Sequence, residues 1–372
     1  MTGRGAVVLI AAMSGRALAQ SARRGGFVPL VADLFADDDT AAAAEDTARL
    51  DALDAAHLLP ALARLAQGRA PAGIVCGSGF EDRPGLLGTI AAHYRIIGND
   101  EDTVRRAKDP DGFAALCAAH GVPHPAIRHH APDAADAADW LVKQAGGAGG
   151  THIADAVAGA APGAGRYFQQ RAAGVPVGVL FAADGTRARI LGASRQWTDP
   201  VAGMPMRYGG AVQPHPLPAP VAAEVWRALA ALVPALGLRG LGSADLLVDG
   251  DDWRLIEINP RPGATMDLYA AWPLFAWHVA ACEGSLRRGP APARGATAAA
   301  FAYARRDIVL PAGFAWPDWT ADRQPPGMAA RAGEPLCSVL AAADDPVTAE
   351  ADVRRRVAAV LAAAEEATCP SA

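Results

Sequence analysis

Ala244-Asp245-Leu246-Leu247-Val248, then Asp249-Gly250-Asp251-Asp252, then Trp253-Arg254-Leu255-Ile256-Glu257-Ile258-Asn259-Pro260-Arg261 is the stretch that decides the fold. Two apolar, strand-favouring runs flank a cluster of Asp and Gly, which is the composition of a β-hairpin. Asp245 falls on the first strand. Glu257 and Asn259 fall on the second, and residues two apart on a strand point to the same face. Two carboxylates and an amide oxygen can therefore converge. Such hard oxygen donors suit magnesium, which completes its octahedron with waters and substrate phosphates, so the hairpin implies ATP as partner. Taken singly, Asp245 reads as a turn or edge residue and Glu257 as a solvated strand residue; together, beside an otherwise apolar hairpin, they read as a metal site.

Working outward, Pro260 and Pro262 restrict the loop that carries Arg261, and Gly263 allows close backbone approach. A guanidinium fixed in this way can grip a carboxylate or a transferring phosphoryl group through two parallel hydrogen bonds. Upstream, Leu141-Val142-Lys143 predicts a short strand running into Gln144-Ala145-Gly146-Gly147-Ala148-Gly149-Gly150-Thr151. Lysines neutralise phosphate charge, and glycine N–H groups approach oxygens without side-chain obstruction. By itself a glycine-rich turn is more often a connection. Further strands are expected at Tyr167 to Gln170, Pro176 to Ala182 and Ala188 to Leu191, forming an antiparallel sheet.

The chain opens differently. Ala6 to Ala12 predicts a strand buried on both faces, Arg16 to Arg24 a helix ended by Gly25-Gly26, and Phe27 to Ala32 the next strand. A helical region over Ala41 to Gln67 then leads to a strand at Ala72 to Cys76. This is an alternating α/β opening. The loop after the first strand, Met13-Ser14-Gly15-Arg16, lacks GxGxxG, which disfavours a dinucleotide oxidoreductase. Glu101 to His120 predicts a helix-rich segment ending at Gly121-Val122-Pro123. Near the other end, Gly289 to Gly295 reads as a Pro/Ala/Gly-rich linker, followed by a strand at Ala299 to Ala304 and a closing helix from Ala349 to Ala364.

Asp245 followed by Glu257-Ile258-Asn259-Pro260-Arg261 resembles the metal-binding ending of the ATP-grasp superfamily, and the other motifs follow in the family's order. The resemblance implies that Lys108 and Lys143 are the two nucleotide-contacting lysines. Gly147, Gly149 and Gly150 would lie over the phosphates, with the adenine edge read along Tyr167-Phe168-Gln169-Gln170. Gln169 or Gln170 stands where the family has an acidic residue, and the proline often found just after the second lysine is absent. The fold implied is α/β and α+β multidomain: a pre-ATP-grasp domain over 1–100, an ATP-grasp domain of two subdomains over 101–290, and a small biotin-carboxylase-like domain over 291–372 around Gly333 to Val339. Within the superfamily, Gly77 to Arg83, Ser194-Arg195-Gln196-Trp197 and Arg207-Tyr208-Gly209-Gly210 resemble a carboligase-like branch with members in the one-carbon-cofactor gene sets of methylotrophs. These three segments are expected as substrate-pocket loops, with Arg195, Arg207 and Tyr208 as contacts.

The resemblance implies a ligase that uses ATP and magnesium, or manganese in its place, to activate a carboxylate as an acyl phosphate before an amine attacks. Asp245, Glu257 and Asn259 would hold the metal, Glu257 would also serve the nucleotide, and Arg261 and Lys143 would be catalytic. An amino acid or glutamate added to a methanofuran-type or tetrahydromethanopterin-type carrier is the implied substrate pair. The rival enzyme is a carboxylase that activates bicarbonate, although no AMKM biotin-attachment sequence occurs. The rival from another class is a nucleotide-binding regulator without catalysis.

Composition sets the bounds. A chain of 372 residues predicts roughly two or three packed units. With 51% hydrophobic and 20% charged residues it belongs among globular rather than disordered proteins. A net charge of -5 and a pI near 6.0 give no general attraction to nucleic acid or anionic membrane, so small-molecule substrates are expected, with a homo-oligomer compatible. Five cysteines, scattered and odd in number, form no disulfide framework and fit a reducing cytoplasm. Ala6 to Met13 with Ala17-Leu18-Ala19-Gln20 resembles a short secretory signal, but the strand-helix-strand pattern running through it favours the structural reading.

Overall fold

The structure is a computed structural model that describes residue 3, residues 5–287 and residues 295–368. The stretch expected as a linker lies outside the described residues except for Gly295.

The first unit is a parallel sheet of β1 (Val7–Ala12), β2 (Val28–Asp33), β3 (Asp46–Arg49) and β4 (Ile74–Cys76), in the order β3-β2-β1-β4. Helices α1 (Arg16–Arg24), α2 (Asp38–Ala43), α3 (Ala55–Ala66) and α4 (Gly85–Ala91) accompany it. β1 and β2 are almost wholly buried because helices cover both faces, which is why they read as unbroken apolar runs. The helix expected over Ala41 to Gln67 is corrected: β3 and a turn separate α2 from α3. Leu30 pairs with Asp46 and Asp33 with Arg49, so pairing to β2 draws an alanine-flanked segment into a strand that its composition conceals.

Helices α5 (Glu101–Lys108) and α6 (Pro110–Ala119) follow. The Asp100 carboxylate accepts from Thr103 N–H at 2.8 Å and caps α5, which fixes where the helix starts and so where Lys108, its last residue, stands. A small antiparallel sheet comes next, built from β5 (Ile127–Arg128), β6 (Trp140–Gln144), β7 (Ile153–Asp155) and β8 (Arg166–Gln170), in the order β5-β8-β6-β7.

The large sheet contains β9 (Val175–Asp184), β10 (Ala188–Thr198), β11 (Tyr208–Gln213), β12 (Arg239–Asp249), β13 (Asp252–Asn259), β14 (Ala296–Tyr303), β16 (Thr320–Ala321) and β18 (Pro335–Ala343). A two-stranded ribbon of β15 (Ile308–Val309) and β17 (Ala329–Ala330) lies beside it, with helices α7 (Ala219–Leu236), α8 (Leu274–Cys282) and α9 (Pro346–Thr368). The strand order β13-β12-β9-β10-β11-β14-β18-β16 carries one continuous sheet from the decisive hairpin into the C-terminal residues through the β11–β14 pairing. Two expected loops become strands: Ser194-Arg195-Gln196-Trp197 lies within β10, and Tyr208-Gly209-Gly210 opens β11. Their polar and glycine content suggested loops, but backbone pairing to β9 and β14 decides the matter.

By length and composition α7 alone among the described helices could cross a membrane, yet Val221, Val225, Leu229, Leu232, Val233 and Leu236 are buried in the core under β9, β12 and β13.

An arginine clasp joins distant parts of the chain. Arg16, 3% exposed, donates to Asp267 through Nη1 at 2.7 Å and Nη2 at 2.6 Å, and to Asp322 Oδ1 through Nε at 2.9 Å. Ser14 and Ser338 also donate to Asp322, while Asp39 accepts the N–H groups of Asp322 and Arg323. Asp37 is 1% exposed beside this clasp, and its Oδ2 has no partner among the described residues. Burial, joined by repulsion from Asp322, Asp33 and Asp39, pushes its pKa up to about 8. The folded-state value exceeds the ordinary 3.8, so Asp37's contribution to stability is complete below 3.8 and is lost progressively as pH rises from there to about 8. Asp37→Asn should therefore raise the melting temperature at pH 8.5, by the equivalent of about 1–3 kcal/mol, the usual cost of an unsatisfied buried polar group. Melts at pH 3.5 should show little difference; an equal gain at both values would reject the titration account.

Candidate active site

The hairpin sets the centre. Asp245 on β12 faces Glu257 on β13 directly, Ser243 faces Asn259, and the register slips between Asp245 and Leu246. Such a bulge re-aims side chains. Here Ile256 and Glu257, although adjacent, both line the cleft in front of β13. Asn259 Nδ2 donates to Asp245 Oδ2 at 2.8 Å, and Gln196 Nε2 to Asp245 Oδ1 at 3.3 Å.

Lys108 reaches the cluster from the end of α5. Its Nζ, on a side chain 5% exposed, lies 3.0 Å from Glu257 Oε2 and 2.9 Å from Asn259 Oδ1. Lys143, on β6, is 3% exposed and donates to Gln169 Oε1 at 3.1 Å. Burial pushes Glu257 up, but Lys108 and Lys143 outweigh it and hold this carboxyl below its ordinary range. Burial and then the Glu257 charge push Asp245 up. Burial lowers Lys143, with Glu257 opposing. His152 is carried by burial down to about 4, so it stands neutral over the lysines at pH 7.

A cleft of about 390 Å³ lies between the small sheet and β13, lined by Lys108, Phe113, His124, Lys143, Tyr167 and Ile256 among others. Its lining mixes apolar and aromatic side chains with polar ones, and its charged residues are Lys108 and Asp109 at the end of α5, Lys143 on β6 and Glu257 on the hairpin. On β8, Gln169 is buried toward this cleft while Gln170 is exposed and gives its backbone N–H to Ala126. The structure thus separates two residues that the sequence left as alternatives.

The glycine loop is folded down at both ends. Gly146, at φ +72°, sits against the Glu81 carbonyl, and Gly150, also at φ +72°, against the Met206 carbonyl. Gly149 O accepts from Tyr208 N–H at 2.9 Å, and Gly147 lies under the His152 ring.

Arg261 extends from the loop after β13, where its Nε donates to Glu81 Oε1 at 2.5 Å. Glu81 is 4% exposed and also accepts from the N–H groups of Gly79 and Phe80. Burial raises this carboxyl, but Arg261, Lys108 and those donors together bring it below its ordinary range. Asn99 fixes the same loop from outside: its Nδ2 donates to Pro260 O at 2.8 Å and Arg239 O at 3.0 Å, and its Oδ1 accepts from Arg239 N–H.

Of the residues expected at substrate, Tyr208 lies near Asp245, whose charge, after burial, raises the phenol's pKa. Arg195 turns to the opposite face of β10 from Gln196 and pairs with Glu350 on α9. Arg207 is buried against Asp199 and stacks over Tyr303 at 3.8 Å. The structure keeps these two arginines away from the hairpin's polar face. Glu81 and Gln196 lie in segments expected at the substrate pocket but were not singled out there, and Asn99 was missed. Strand alternation through Arg195 and Gln196 was the available signal for Gln196; none marked Asn99.

Among the described residues no group of three or more His, Cys, Asp and Glu side chains could hold a metal. At the hairpin the oxygen donors are Asp245, Glu257 and the Asn259 amide. That set fits magnesium, which takes one or two carboxylates and draws its remaining ligands from water and phosphate.

Residues 113–265 match a family described as an ATP-grasp domain. No curated protein matches the chain in sequence. Among solved structures it is similar to N5-carboxyaminoimidazole synthetase from Staphylococcus aureus complexed with ADP, at 13% identity and TM-score 0.70, covering 95% of this chain and 98% of that one. It is similar to the L-amino acid ligase from Bacillus licheniformis at 14% identity and TM-score 0.68, covering 95% and 97%. Biotin carboxylase from Campylobacter jejuni gives 15% identity and TM-score 0.69, covering 93% and 89%. The chain has the ATP-grasp fold.

Because the side chains of Glu81 and Arg261 are only 2% and 15% exposed, their pair should couple more strongly than the roughly 0.2–1 kcal/mol of surface pairs. Glu81→Gln and Arg261→Met should each lower the melting temperature, and the double variant should lose clearly less than the two losses combined. Strict additivity in the melts would show that the pair does not fix the arginine.

Proposed function

We propose that this chain is an ATP- and magnesium-dependent carboxylate-amine ligase that works through an acyl phosphate. The observation that carries the reading is the convergence of Asp245, Glu257 and Asn259 with Lys108 beside a cleft that Lys108, Lys143 and Glu257 line, with Arg261 fixed nearby.

Magnesium, bound at Asp245, Glu257 and Asn259, would supply charge neutralisation to the β- and γ-phosphates. Phosphoryl transfer asks mainly for positioning and electrostatics. Lys108 and Lys143 offset phosphate charge, and the Gly147, Gly149 and Gly150 backbone covers the phosphates. Phe113, Tyr167 and Ile256 in the cleft take the adenine, with Gln169 at its edge. Arg261, its Nε committed to Glu81, keeps its terminal nitrogens for the acid's carboxylate or the phosphoryl group. The acid's oxygen attacks the γ-phosphorus and breaks its bond to the bridging oxygen, releasing ADP; the amine then attacks the acyl carbon, expels phosphate and gives up a proton. Tyr208 and Gln196, on the hairpin's side of the large sheet, are assigned to the substrates.

The L-amino acid ligase among the structural neighbours supports an amino acid as one substrate. The resemblance to members of methylotroph gene sets supports a one-carbon carrier of methanofuran or tetrahydromethanopterin type as the other, in the cytoplasm. The synthetase and biotin carboxylase neighbours favour a second reading, activation of bicarbonate; bicarbonate-dependent ADP release would distinguish it.

Asp245→Asn should retain the wild-type melting temperature, since it removes a carboxylate whose charge burial and Glu257 disfavour, yet lose most turnover in a metabolite screen for ADP release. With the acid so identified, hydroxylamine in place of the amine should give a hydroxamate. Lys143→Ala should weaken ATP binding by about 1.5–3 kcal/mol, the worth of a hydrogen bond to a charged group. Wild-type turnover in folded Asp245→Asn at limiting magnesium would remove the metal site from the mechanism.

A further inference from the structure

We infer that Lys108 competes directly with the divalent metal for its ligands, so that metal binds well only when a nucleotide draws the lysine away. This rests on the ATP- and metal-dependent reading above and adds a coupling between the two ligands.

The geometry is specific. Asn259 has a single oxygen, and Lys108 Nζ holds it at 2.9 Å. The other end of that amide, Nδ2, donates to Asp245 Oδ2 at 2.8 Å, so the amide cannot turn its oxygen elsewhere without breaking both contacts. The same Nζ holds Glu257 Oε2 at 3.0 Å. Asp245 Oδ1 takes Gln196. Lysine donors and a metal ion seek the same lone pairs, so one ammonium occupies an oxygen on two of the three proposed ligands and places its positive charge against both.

Charge points the same way. Asp245 and Glu257 are offset by Lys108 and Lys143, and a divalent cation alone would leave this buried cluster positive. A nucleotide alone would leave it negative. Polyphosphate brings acceptors that Lys108 can take in exchange for Glu257 and Asn259, and it brings further ligands for the metal. Each ligand thus removes the other's obstacle, and by linkage the coupling is reciprocal.

The test is manganese binding followed by electron paramagnetic resonance on the full chain, with and without ADP, in wild type, Lys108→Met and Lys143→Met. Wild type should bind manganese weakly alone and about tenfold more tightly with ADP, within the range typical of coupled sites. Lys108→Met should bind manganese alone about tenfold more tightly than wild type, with a smaller increment from ADP. Lys143→Met removes an equal charge without freeing Glu257 or Asn259, and should gain much less. Equal gains in both variants would reduce the effect to a general field and overturn direct competition, as would Lys108→Met binding like wild type. Should Lys108→Met fail to fold, Lys108→Ala carries the same comparison. If wild type binds no manganese even with ADP, the metal-site reading itself falls and this inference with it; nucleotide-dependent binding without a Lys108 effect overturns this inference alone.

Discussion

Two carboxylates facing each other across a buried hairpin are the constraint on which the rest of this molecule depends. Asp245 and Glu257 are direct partners in the β12–β13 register. Two like charges about 4 Å apart repel by on the order of 4 kcal/mol at an effective dielectric of ~20. That is a large part of a domain's stability. The fold answers with two cations from separate elements, Lys108 at the end of capped α5 and Lys143 on β6 of the small sheet. Both lysines are almost wholly buried. The hairpin therefore dictates where the neighbouring elements must stand, and the small sheet cannot move away without uncovering charge.

The same seam gathers the N-terminal unit. Loops after parallel strands project from the strands' carboxyl ends, where open α/β sheets place ligands. The loop after β4 delivers Glu81 to Arg261, and α1, just past the loop after β1, begins with Arg16, which reaches Asp267, only six residues beyond Arg261. Arg16 also holds Asp322 from the C-terminal residues, so one guanidinium ties three distant stretches of chain together beside the site. The arginine of the proposed chemistry and the arginine of the clasp thus flank one short turn. Movement of the N-terminal unit would be felt at Arg261 through both contacts.

The hairpin and its three polar residues were legible because strand alternation and turn composition are local signals. The run of alanines was not. Ala41 to Gln67 has a helical composition, and only pairing with β2 makes Asp46 to Arg49 a strand. Arg195, Arg207 and Tyr208 looked alike as polar groups in expected loops, but backbone pairing put Arg195 in β10 and Tyr208 at the start of β11, and long-range partners decided the two arginine side chains. Glu350 is more than a hundred residues from Arg195 in the chain, and Gly333 is as far from Arg207, which donates to its carbonyl. Asn99 was invisible for the same reason: its value lies in Arg239 and Pro260, contacts that no local pattern announces.

The glycine loop shows how far composition misleads without geometry. Glycine-rich turns suggest freedom, but Gly146 and Gly150 adopt positive φ and meet backbone carbonyls at both ends of the loop, Glu81 on one side and Met206 on the other. A Cβ at either position would press into backbone that cannot rotate aside. Close approach therefore explains these two glycines better than flexibility does, and what they approach matters. Glu81 carries the Arg261 contact on its side chain and the Gly146 contact on its carbonyl, so the loop over the cleft and the arginine beside it rest on one buried residue. Any shift that frees the loop at that end acts on the backbone of the residue that fixes Arg261, which links access to the cleft with the orientation of the guanidinium.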